Sequence, residues 1–336
     1  MIEGRSALSS TTHESTKMRV LVTGASGFVG RAVLERLKHG GTHAIRAAVR
    51  RADIPRVAGV DYAVVGSLDR TTDWSAALVG CDVVIHAAAR VHVMRDVAED
   101  PLAEFRRTNV DGTLRLARQA IAAGVRRFVF VSSIKVNGEE TAAGRPFDAS
   151  DEPAPADAYG HSKLEAELGL RALLGDAGVA WVIVRPPLVY GPGVKANFLT
   201  LMRLLQRGLP LPFGGVLNQR SLVALDNLVS LLHECCVNPR AANEVFLAAD
   251  GEDLSTPELM RRIGAALGRP ARLFDVPTGV LLAAASLTGK RDVARRLLGN
   301  LQVSAAKART VLGWSPVVTV DEGLEKAVRT FLVAGP

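Results

Sequence analysis

Short apolar runs rich in β-branched residues alternate with longer helical patterns over the first half of the chain. The predicted strands lie near 19–23, 44–49, 60–65, 82–87, 126–132 and 180–185, and the predicted helices near 28–39, 72–79, 102–123 and 158–175. Nearly continuous apolar strands are typical of a parallel sheet covered by helices on both faces. The pattern predicts an α/β fold with a doubly wound parallel Rossmann sheet, whose ligands bind at the carboxyl ends of the strands.

The alternation loosens after Pro186. Helices are predicted near 196–207, 225–237, 256–267 and 278–298, with an extended piece at 244–247 and a final helix at 320–332 opened by a capping box of Thr319 and Glu322. Residues 2–5 are typical of a protease-site remnant, so we expect a tag or leader over 1–17 and a native start at Met18. We therefore divide the chain into that leader, a dinucleotide-binding domain at 18–185 and a smaller, mostly helical substrate lobe at 186–336. Whether the chain returns to the first domain within that lobe stays open.

The composition is that of an ordinary soluble globular protein. Of 336 residues, 48% are apolar and 22% are charged, which excludes a disordered chain. The net charge is +7, but the basic residues are scattered and no nucleic-acid-binding motif occurs, so we expect a small anionic ligand and no nucleic acid. The three cysteines match neither a zinc site nor a disulfide framework, and no apolar stretch reaches the ~18 residues of a membrane span. We expect a cytoplasmic protein.

A glycine-rich turn joins the first predicted strand to the first predicted helix. Its glycines are Gly24, Gly27 and Gly30. The first permits the tight turn, the second lets the backbone approach a pyrophosphate, and the third lets helix and strand pack closely. Because free N–H groups and the positive end of the helix dipole face this turn, the pattern favours a dinucleotide site over a purely structural turn.

The end of the second predicted strand bears on which dinucleotide binds. NAD-binding units usually carry a carboxylate there for the ribose 2′-hydroxyl, whereas this chain has Arg50 and Arg51 and no carboxylate before Asp53. A guanidinium can pair with the 2′-phosphate of NADP. We therefore expect NADP or NAD, with NADP favoured, and place the adenine edge near Ser67 and Leu68.

A phenol, an ammonium and a hydroxyl are predicted to meet at one edge of the sheet. Tyr159 and Lys163 lie four residues apart on one face of a predicted helix, and Ser133 follows the fifth strand. This set suits acid–base chemistry at an alcohol or carbonyl oxygen, with Ser133 hydrogen-bonded to the same oxygen. A free tyrosine has a pKa near 10, so donating a proton to a developing alkoxide is the easier direction for Tyr159.

The ordered motifs resemble those of the extended short-chain dehydrogenases/reductases, and within them the nucleotide-sugar epimerases, dehydratases and 4-ketoreductases. The segments that carry the resemblance are 23–30, 86–89, 109–113, 132–133, 159–163 and 185–192. The resemblance extends over nearly the whole chain from Met18 onward. It implies that Ser133, Tyr159 and Lys163 are catalytic, with Asn109 as a supporting group.

The same resemblance implies a UDP- or dTDP-linked sugar in the C-terminal lobe. Its predicted contacts are Asn197, Arg220 and Arg291, and Lys135 either approaches the sugar or caps the turn that follows it. The predicted cofactor contacts are Gly24, Ser26, Gly27, Phe28, Val29, Gly30, Arg50, Ser67, Leu68, Ala87, Ala88, Ala89, Tyr159, Lys163 and Pro186. No metal is expected. Relatives often dimerise through a helix bundle, which here implies a homodimer through 102–123 and 158–175.

Several reactions fit this family. Its 4,6-dehydratases carry an Asp-Glu pair directly after the active-site Ser or Thr, whereas this chain has Ile134 and Lys135, so we set dehydration aside. Arg50 and the segment 132–139 look more like bacterial O-antigen reductases of UDP-4-keto-6-deoxy-N-acetylhexosamines. We therefore favour a 4-ketoreductase over the alternative, a UDP-hexose or N-acetylhexosamine 4-epimerase that retains NAD. A non-catalytic dinucleotide sensor is the remote third hypothesis, which the presence of Tyr159 and Lys163 opposes.

Overall fold

The computed structural model describes residues 17–91, 100–289 and 291–334. Apart from Lys17, the predicted leader lies outside the described residues. Within them, no helix is long and apolar enough to cross a membrane.

Seven parallel strands form the central sheet, in the order β3-β2-β1-β4-β5-β6-β9. They are β1 Arg19–Thr23, β2 Ala44–Val49, β3 Asp61–Val64, β4 Val83–His86, β5 Arg127–Val131, β6 Ala180–Arg185 and β9 Glu244–Leu247. The six strands predicted for the first half are all present, and the doubly wound prediction is confirmed. The extended piece predicted at 244–247 is β9, which pairs with β6 at the edge of this sheet.

The helices cover both faces of the sheet. They are α1 Phe28–Gly40, α2 Ser75–Leu78, α3 Pro101–Phe105, α4 Thr113–Ala122, α5 Ala158–Asp176, α6 Ala196–Gln206, α7 Leu225–Val237, α8 Thr256–Ala266, α9 Thr278–Leu287, α10 Arg291–Leu298, α11 Ala306–Leu312 and α12 Val320–Ala334. Strand side chains alternate between the faces: in β5, Val129 and Val131 join the core beneath α1, α7 and α11, and Phe128 and Phe130 join the core beneath α2, α4 and α5. Burial on both faces explains the uninterrupted apolar runs.

The C-terminal region is mainly helical and contains a small second sheet. β8 Arg220–Ala224 pairs with β7 Leu188–Tyr190 in parallel and with β10 Asp253–Leu254 in antiparallel fashion. The sequence pattern did not predict these three strands or α11. The predicted capping box is confirmed, because Thr319 N–H donates to Glu322 at 2.7 Å and Glu322 N–H donates to Thr319 Oγ1 at 3.3 Å.

Two predicted helices differ from the structure. The single helix predicted at 278–298 is wrong: it is divided into α9 and α10, since Gly289 adopts a left-handed φ of 67°. The helix predicted at 102–123 is interrupted by a wide π-helical segment, Arg106–Gly112, between α3 and α4. Such a segment inserts extra backbone into a helix and is frequent at functional sites.

Candidate active site

The glycine turn brings the ends of β1 and β4 together. Gly24 has a left-handed φ of 66°, and a Cβ on it would lie 2.7 Å from the backbone of Ala87. A Cβ on Gly30 would lie 2.2 Å from the Gly24 carbonyl oxygen. Only glycine fits either position without displacing the backbone.

The start of α1 offers unpartnered amides to an anion. Gly27 is its N-cap and supplies no capping side chain, and the first turn carries no acidic residue. The first amides of a helix have no partner within the helix, so those of α1 are available to a ligand. Because no side chain fills the turn, the pyrophosphate of a dinucleotide could approach the backbone amides at the start of α1.

The other predicted cofactor residues follow the ends of β2, β3, β4 and β6, and so lie along the same edge. Ala88 N–H donates to Thr23 Oγ1 at 3.3 Å, which places 87–89 against the glycine turn. Leu68 packs against Gly112: a Cβ added to this glycine would lie 2.7 Å from Leu68 Cγ. The Pro186 carbonyl accepts from the Ile134 N–H at 2.9 Å, which joins the ends of β6 and β5.

His86, a residue that sequence analysis quoted only as part of a motif, ties the strand ends beneath the turn. Its Nδ1 lies 2.6 Å from Thr23 Oγ1 and its Nε2 lies 2.9 Å from Thr113 Oγ1. Burial, and then the charge of Lys163, lowers the pKa of His86 to about 3. The imidazole is therefore neutral and holds β1, β4 and α4 together without adding a charge to the site.

The three predicted catalytic residues come from two neighbouring elements. Ser133 follows β5, and Tyr159 and Lys163 lie on the first two turns of α5. Lys163 is buried; its Nζ donates to the Val131 carbonyl at 2.9 Å and lies 6.0 Å from the centre of the Tyr159 ring. Ser133 lies close enough to Tyr159 to oppose the rise in the pKa of its phenol. The structure therefore brings together the hydroxyl, the phenol and the ammonium that the sequence predicts.

Gly160 lets α5 approach this cluster. Asp157 caps the helix by accepting from the Gly160 N–H at 2.7 Å. A Cβ on Gly160 would lie 2.8 Å from the Lys135 carbonyl oxygen. A larger residue would push the Tyr159 turn away from the Ser133 turn. The glycine directly after the tyrosine is the sequence feature from which this close approach could have been predicted.

Burial dominates the protonation of the catalytic groups. It raises the pKa of Tyr159, as does the charge of Asp157, while the hydrogen bond with Ser133 opposes the rise. Burial lowers the pKa of Lys163 to about 7, and the Glu167 carboxylate opposes that fall. In the free chain Tyr159 is therefore a neutral phenol at neutral pH. The pKa of the neighbouring Lys163 ammonium, about 7, lies close to that pH.

Replacing Lys163 by methionine is expected to stabilise the fold at acid pH while removing activity. The native pKa lies below that of the unfolded chain, so unfolding takes up a proton between about pH 7 and pH 10, and the cost of burying the charge is largest below that window. We expect a gain of ~2 kcal/mol at about pH 6 after the lost hydrogen bond to Val131 is subtracted, shrinking by about pH 9. Denaturant unfolding at both pH values measures this.

The control for this prediction is Lys326→Met, which removes a half-exposed ammonium paired with Asp226 at 2.6 Å. It should not reproduce the pH dependence. A stability difference for Lys163→Met that stays constant across the window would contradict a buried, titrating ammonium.

Asn109 supports the cluster from the π-helical segment. Its side chain is buried, donates to Ser162 Oγ at 3.0 Å and to the Arg90 carbonyl at 3.0 Å, and accepts from the Arg90 N–H at 2.8 Å. It thereby joins the loop after β4 to the catalytic face of α5. The position is consistent with the supporting role that the resemblance implies.

A buried ionic network that sequence analysis missed lies behind the catalytic residues. Arg185 donates to both carboxylate oxygens of Glu167, at 3.0 and 2.6 Å, and to Asn137 at 2.9 Å, while Ser132 also donates to Glu167. The side chains of the ion pair are 3% and 1% exposed. The network joins the ends of β5 and β6 to α5. Its available signal was Glu167, one helical turn after Lys163 on the same face.

The predicted sugar-nucleotide contacts are distributed around this centre. Lys135 is tied to Asp157 and to Glu139, directly beside the N-terminus of α5. Arg220 is partly buried and donates to the Gly299 carbonyl at 3.0 Å. Burial lowers the pKa of Arg220, and the charge of Arg296 adds to this, so Arg296 is a nearby cation that sequence analysis missed.

The two remaining predicted contacts are exposed. Asn197 lies in the first turn of α6, after Ala196, which has a left-handed φ of 53° that is uncommon for a residue with a Cβ. Arg291 is exposed at the start of α10. Contacts of either residue with a ligand stay predictions.

Comparison with known proteins decides the family. The model of the NAD dependent epimerase/dehydratase family matches residues 20–249, more than half of the chain and the whole central sheet apart from Arg19. The chain belongs to the NAD-dependent epimerase/dehydratase family. The resemblance that the motifs carry is thereby confirmed, and the chain is an enzyme of this family.

Relatives of this family cover almost the entire chain. A UDP-glucose 4-epimerase of Vibrio cholerae is 46% identical over 94% of this chain and 96% of its own. MoeE5, solved in complex with UDP-glucuronic acid and NAD, is 26% identical with a TM-score of 0.75 over 94% of this chain and 100% of its own. DesIV, the dTDP-glucose 4,6-dehydratase of Streptomyces venezuelae solved with NAD and TYD, is 26% identical with a TM-score of 0.74 over 94% and 97%. The NAD dependence of the family agrees with the geometry of the glycine turn.

Proposed function

We propose that this enzyme oxidises and reduces C4 of a UDP-linked hexose or N-acetylhexosamine, and that 4-epimerisation is the form of this reaction best supported. The observation that carries the proposal is that Ser133, Tyr159 and Lys163 lie together at the end of β5, at the same edge of the sheet as the glycine turn. The 46% identical UDP-glucose 4-epimerase supports epimerisation over the 4-ketoreductase that the sequence alone favours.

The residues at the sheet edge fit a dinucleotide. The turn with Gly24, Gly27 and Gly30 would hold the pyrophosphate of the dinucleotide. The segment 87–89 would contact the dinucleotide beside this turn, and Ser67 and Leu68 would contact its adenine. When bound, its nicotinamide supplies the acceptor and donor of hydride. The side chains described below supply the proton transfers and the orientation.

Tyr159 would move the proton of the sugar 4-hydroxyl. As that oxygen becomes a carbonyl its proton would pass to the phenolate oxygen of Tyr159, and it would return to the sugar when the carbonyl is reduced. Burial favours the neutral phenol, so Tyr159 must first release its own proton to solvent before it can accept one, and the Lys163 ammonium would stabilise the resulting phenolate. Ser133 would hydrogen-bond to the same sugar oxygen and fix its distance from Tyr159.

The residues after Ser133 do not suit dehydration. Ile134 is buried, and Lys135 is bound by two carboxylates, those of Asp157 and Glu139. A dehydratase needs an acid and a base here to move a proton at C5 and expel the 6-hydroxyl. The reactions at C4 need neither.

The second candidate is reduction of a UDP-4-keto-6-deoxy-N-acetylhexosamine with exchangeable NADPH. The observation that favours it is Arg50, which is exposed just after β2 where a 2′-phosphate would lie, with the carboxylate of Asp53 already paired to Arg51 at 3.3 Å. An epimerase has no need of an exchangeable cofactor, whereas a reductase consumes it.

Two incubations separate these functions. The purified enzyme is mixed with UDP-glucose or UDP-N-acetylglucosamine without added cofactor, and separately with a UDP-4-keto-6-deoxy-N-acetylhexosamine and NADPH. Appearance of the C4 epimer in the first supports the proposal. NADPH consumption in the second alone assigns the reductase, and no turnover in either would leave the non-catalytic sensor as the better hypothesis.

Replacing Arg50 by alanine should raise the dissociation constant of NADPH by about tenfold or more, since a charge-assisted hydrogen bond contributes ~1.5 to 3 kcal/mol. Binding of NADH should change little. Arg51→Ala is the matched control, because that arginine is engaged with Asp53. Titration of cofactor fluorescence measures the dissociation constants of NADPH and NADH for each variant and the wild type. Equal increases of the two constants in Arg50→Ala would overturn the NADP preference.

We also propose the homodimer through 102–123 and 158–175, the segments that contain α4 and α5. These helices pack side by side on one face of the sheet, and Leu168 on α5 is 53% exposed. Sedimentation velocity tests this directly, and a monomer at every concentration would rule it out.

A further inference from the structure

α9 is an apolar helix that the protein leaves uncovered. It contains no charged residue, and none of its residues is buried among the residues that the structure describes. Val280 is 56% and Leu287 is 90% exposed. A surface helix normally turns charged and polar side chains outward, so an outward apolar face requires an explanation.

The exposed residues of α9 form one face. Val280, Ala283, Ala284 and Leu287 follow the i, i+3, i+4, i+7 spacing and are all exposed. Leu281, Leu282 and Ala285 on the other face are partly covered, and α9 packs against α10. These four residues form a continuous aliphatic stripe along the outward side of the helix, beside the exposed Ser286.

The hydroxyls near this face already have hydrogen-bond partners. Ser286 Oγ donates to the Leu282 carbonyl at 2.9 Å, and Thr288 Oγ1 donates to the Ala284 carbonyl at 3.0 Å. Protein partners usually meet a surface with about one hydrogen bond per 100–200 Å² and with aromatic anchors, and this face offers neither. In a hydrocarbon environment no water is present, so polar groups must find their hydrogen-bond partners within the protein.

Cations lie on the helix that follows. α10 contains three arginines against one aspartate; Arg291 is exposed, and the Arg295 side chain is 57% exposed and lies 3.9 Å from the Glu140 carboxylate. Val293, between them, is also exposed. An aliphatic helix beside a cationic one matches the two layers of an anionic bilayer surface, hydrocarbon and phosphate.

We propose that α9 and α10 form a membrane-surface contact, with α9 lying along the boundary between headgroups and acyl chains of an anionic bilayer. Ten residues give a helix ~15 Å long, which lies on a bilayer and does not cross it. α10 leads directly to Gly299, whose carbonyl accepts from Arg220 and from Asn218. The contact would thus place the sugar-nucleotide lobe next to the membrane surface.

Vesicle sedimentation tests this contact. The full-length enzyme is mixed with vesicles of phosphatidylcholine and, separately, with vesicles of equal parts phosphatidylcholine and phosphatidylglycerol. We expect binding to the anionic vesicles that weakens as salt is raised. The double variant Val280→Asp, Leu287→Asp should bind them about tenfold more weakly or worse, since each buried aliphatic group contributes to partitioning.

Val333→Asp is the matched control, because Val333 is an 85% exposed valine on α12, outside the proposed surface. It should bind like the wild type. Absence of wild-type binding to anionic vesicles, or binding that survives the double variant, would refute the contact. Self-association that the double variant abolishes, without vesicle binding, would assign the face to a second copy and also refute it. The contact does not rest on the proposed function, and turnover of soluble UDP-sugars without vesicles reports on that function separately.

Discussion

Replacing Tyr159 by phenylalanine is expected to lower kcat at least about 10²-fold, the lower bound for a positioned general acid–base group. The ring would keep its edge-to-face contact with Phe105, at 5.9 Å between centres, so only the hydroxyl is lost. Without it, no phenol oxygen lies beside Ser133 to exchange a proton with the sugar. Initial rates with the UDP-sugar that is turned over, at saturating substrate, measure the effect.

The dissociation constant of NAD and the thermal midpoint of unfolding serve as controls for this variant. Both should stay close to the wild-type values, because the ring remains. Turnover within a few-fold of the wild type would remove Tyr159 from the reaction and, with it, the proposed chemistry at C4.

Replacing Glu167 by alanine is expected to lower the free energy of unfolding by ~3 to 5 kcal/mol, the usual cost of leaving a buried charge without its partner. The Arg185 guanidinium would remain buried and would lose its three hydrogen bonds to the carboxylate. Denaturant unfolding at neutral pH measures the change.

The matched control removes a carboxylate from an exposed ion pair. Asp226→Asn breaks the ion pair between Asp226 and Lys326, whose side chains are 41% and 44% exposed, respectively. It should lower the free energy of unfolding by less than ~1 kcal/mol. Equal losses in the two variants would show that the buried network contributes no more than a surface pair. A second variant, Glu167→Gln, keeps the volume of the side chain and separates loss of charge from loss of packing.

Sequence reasoning succeeds where a local pattern has a single physical solution. The strands 19–23, 44–49 and 180–185 were predicted with the observed bounds, because apolar runs bounded by turn residues have few alternatives in a parallel sheet. The glycine turn was equally readable, since Gly24 and Gly30 occupy positions that a Cβ would obstruct. Ser133, Tyr159 and Lys163 could be grouped because the order of parallel strands brings their carboxyl ends to one edge.

Contacts between residues distant in sequence were not readable in this way. Glu167 and Arg185 lie on different elements, and nothing in the spacing shows that their side chains meet or that Ser132 and Asn137 complete the set. The strands β7, β8 and β10 are short and pair across long intervals, so their apolar pattern is too brief to separate from a loop. The break after α9 depends on the left-handed conformation of Gly289, which a glycine permits but does not require.

The position of β9 constrains how the protein can be synthesised. β6 has β5 on one side, and its other side stays unpaired until 244–247 have left the ribosome, after the intervening segment with α6, β7 and β8. An open strand edge is a template for pairing with other chains, so a nascent or truncated product ending at Arg185 would be prone to aggregate. The nucleotide-binding half is therefore not a portable module: a gene fusion or domain exchange cut at that point would discard the strand that closes its sheet.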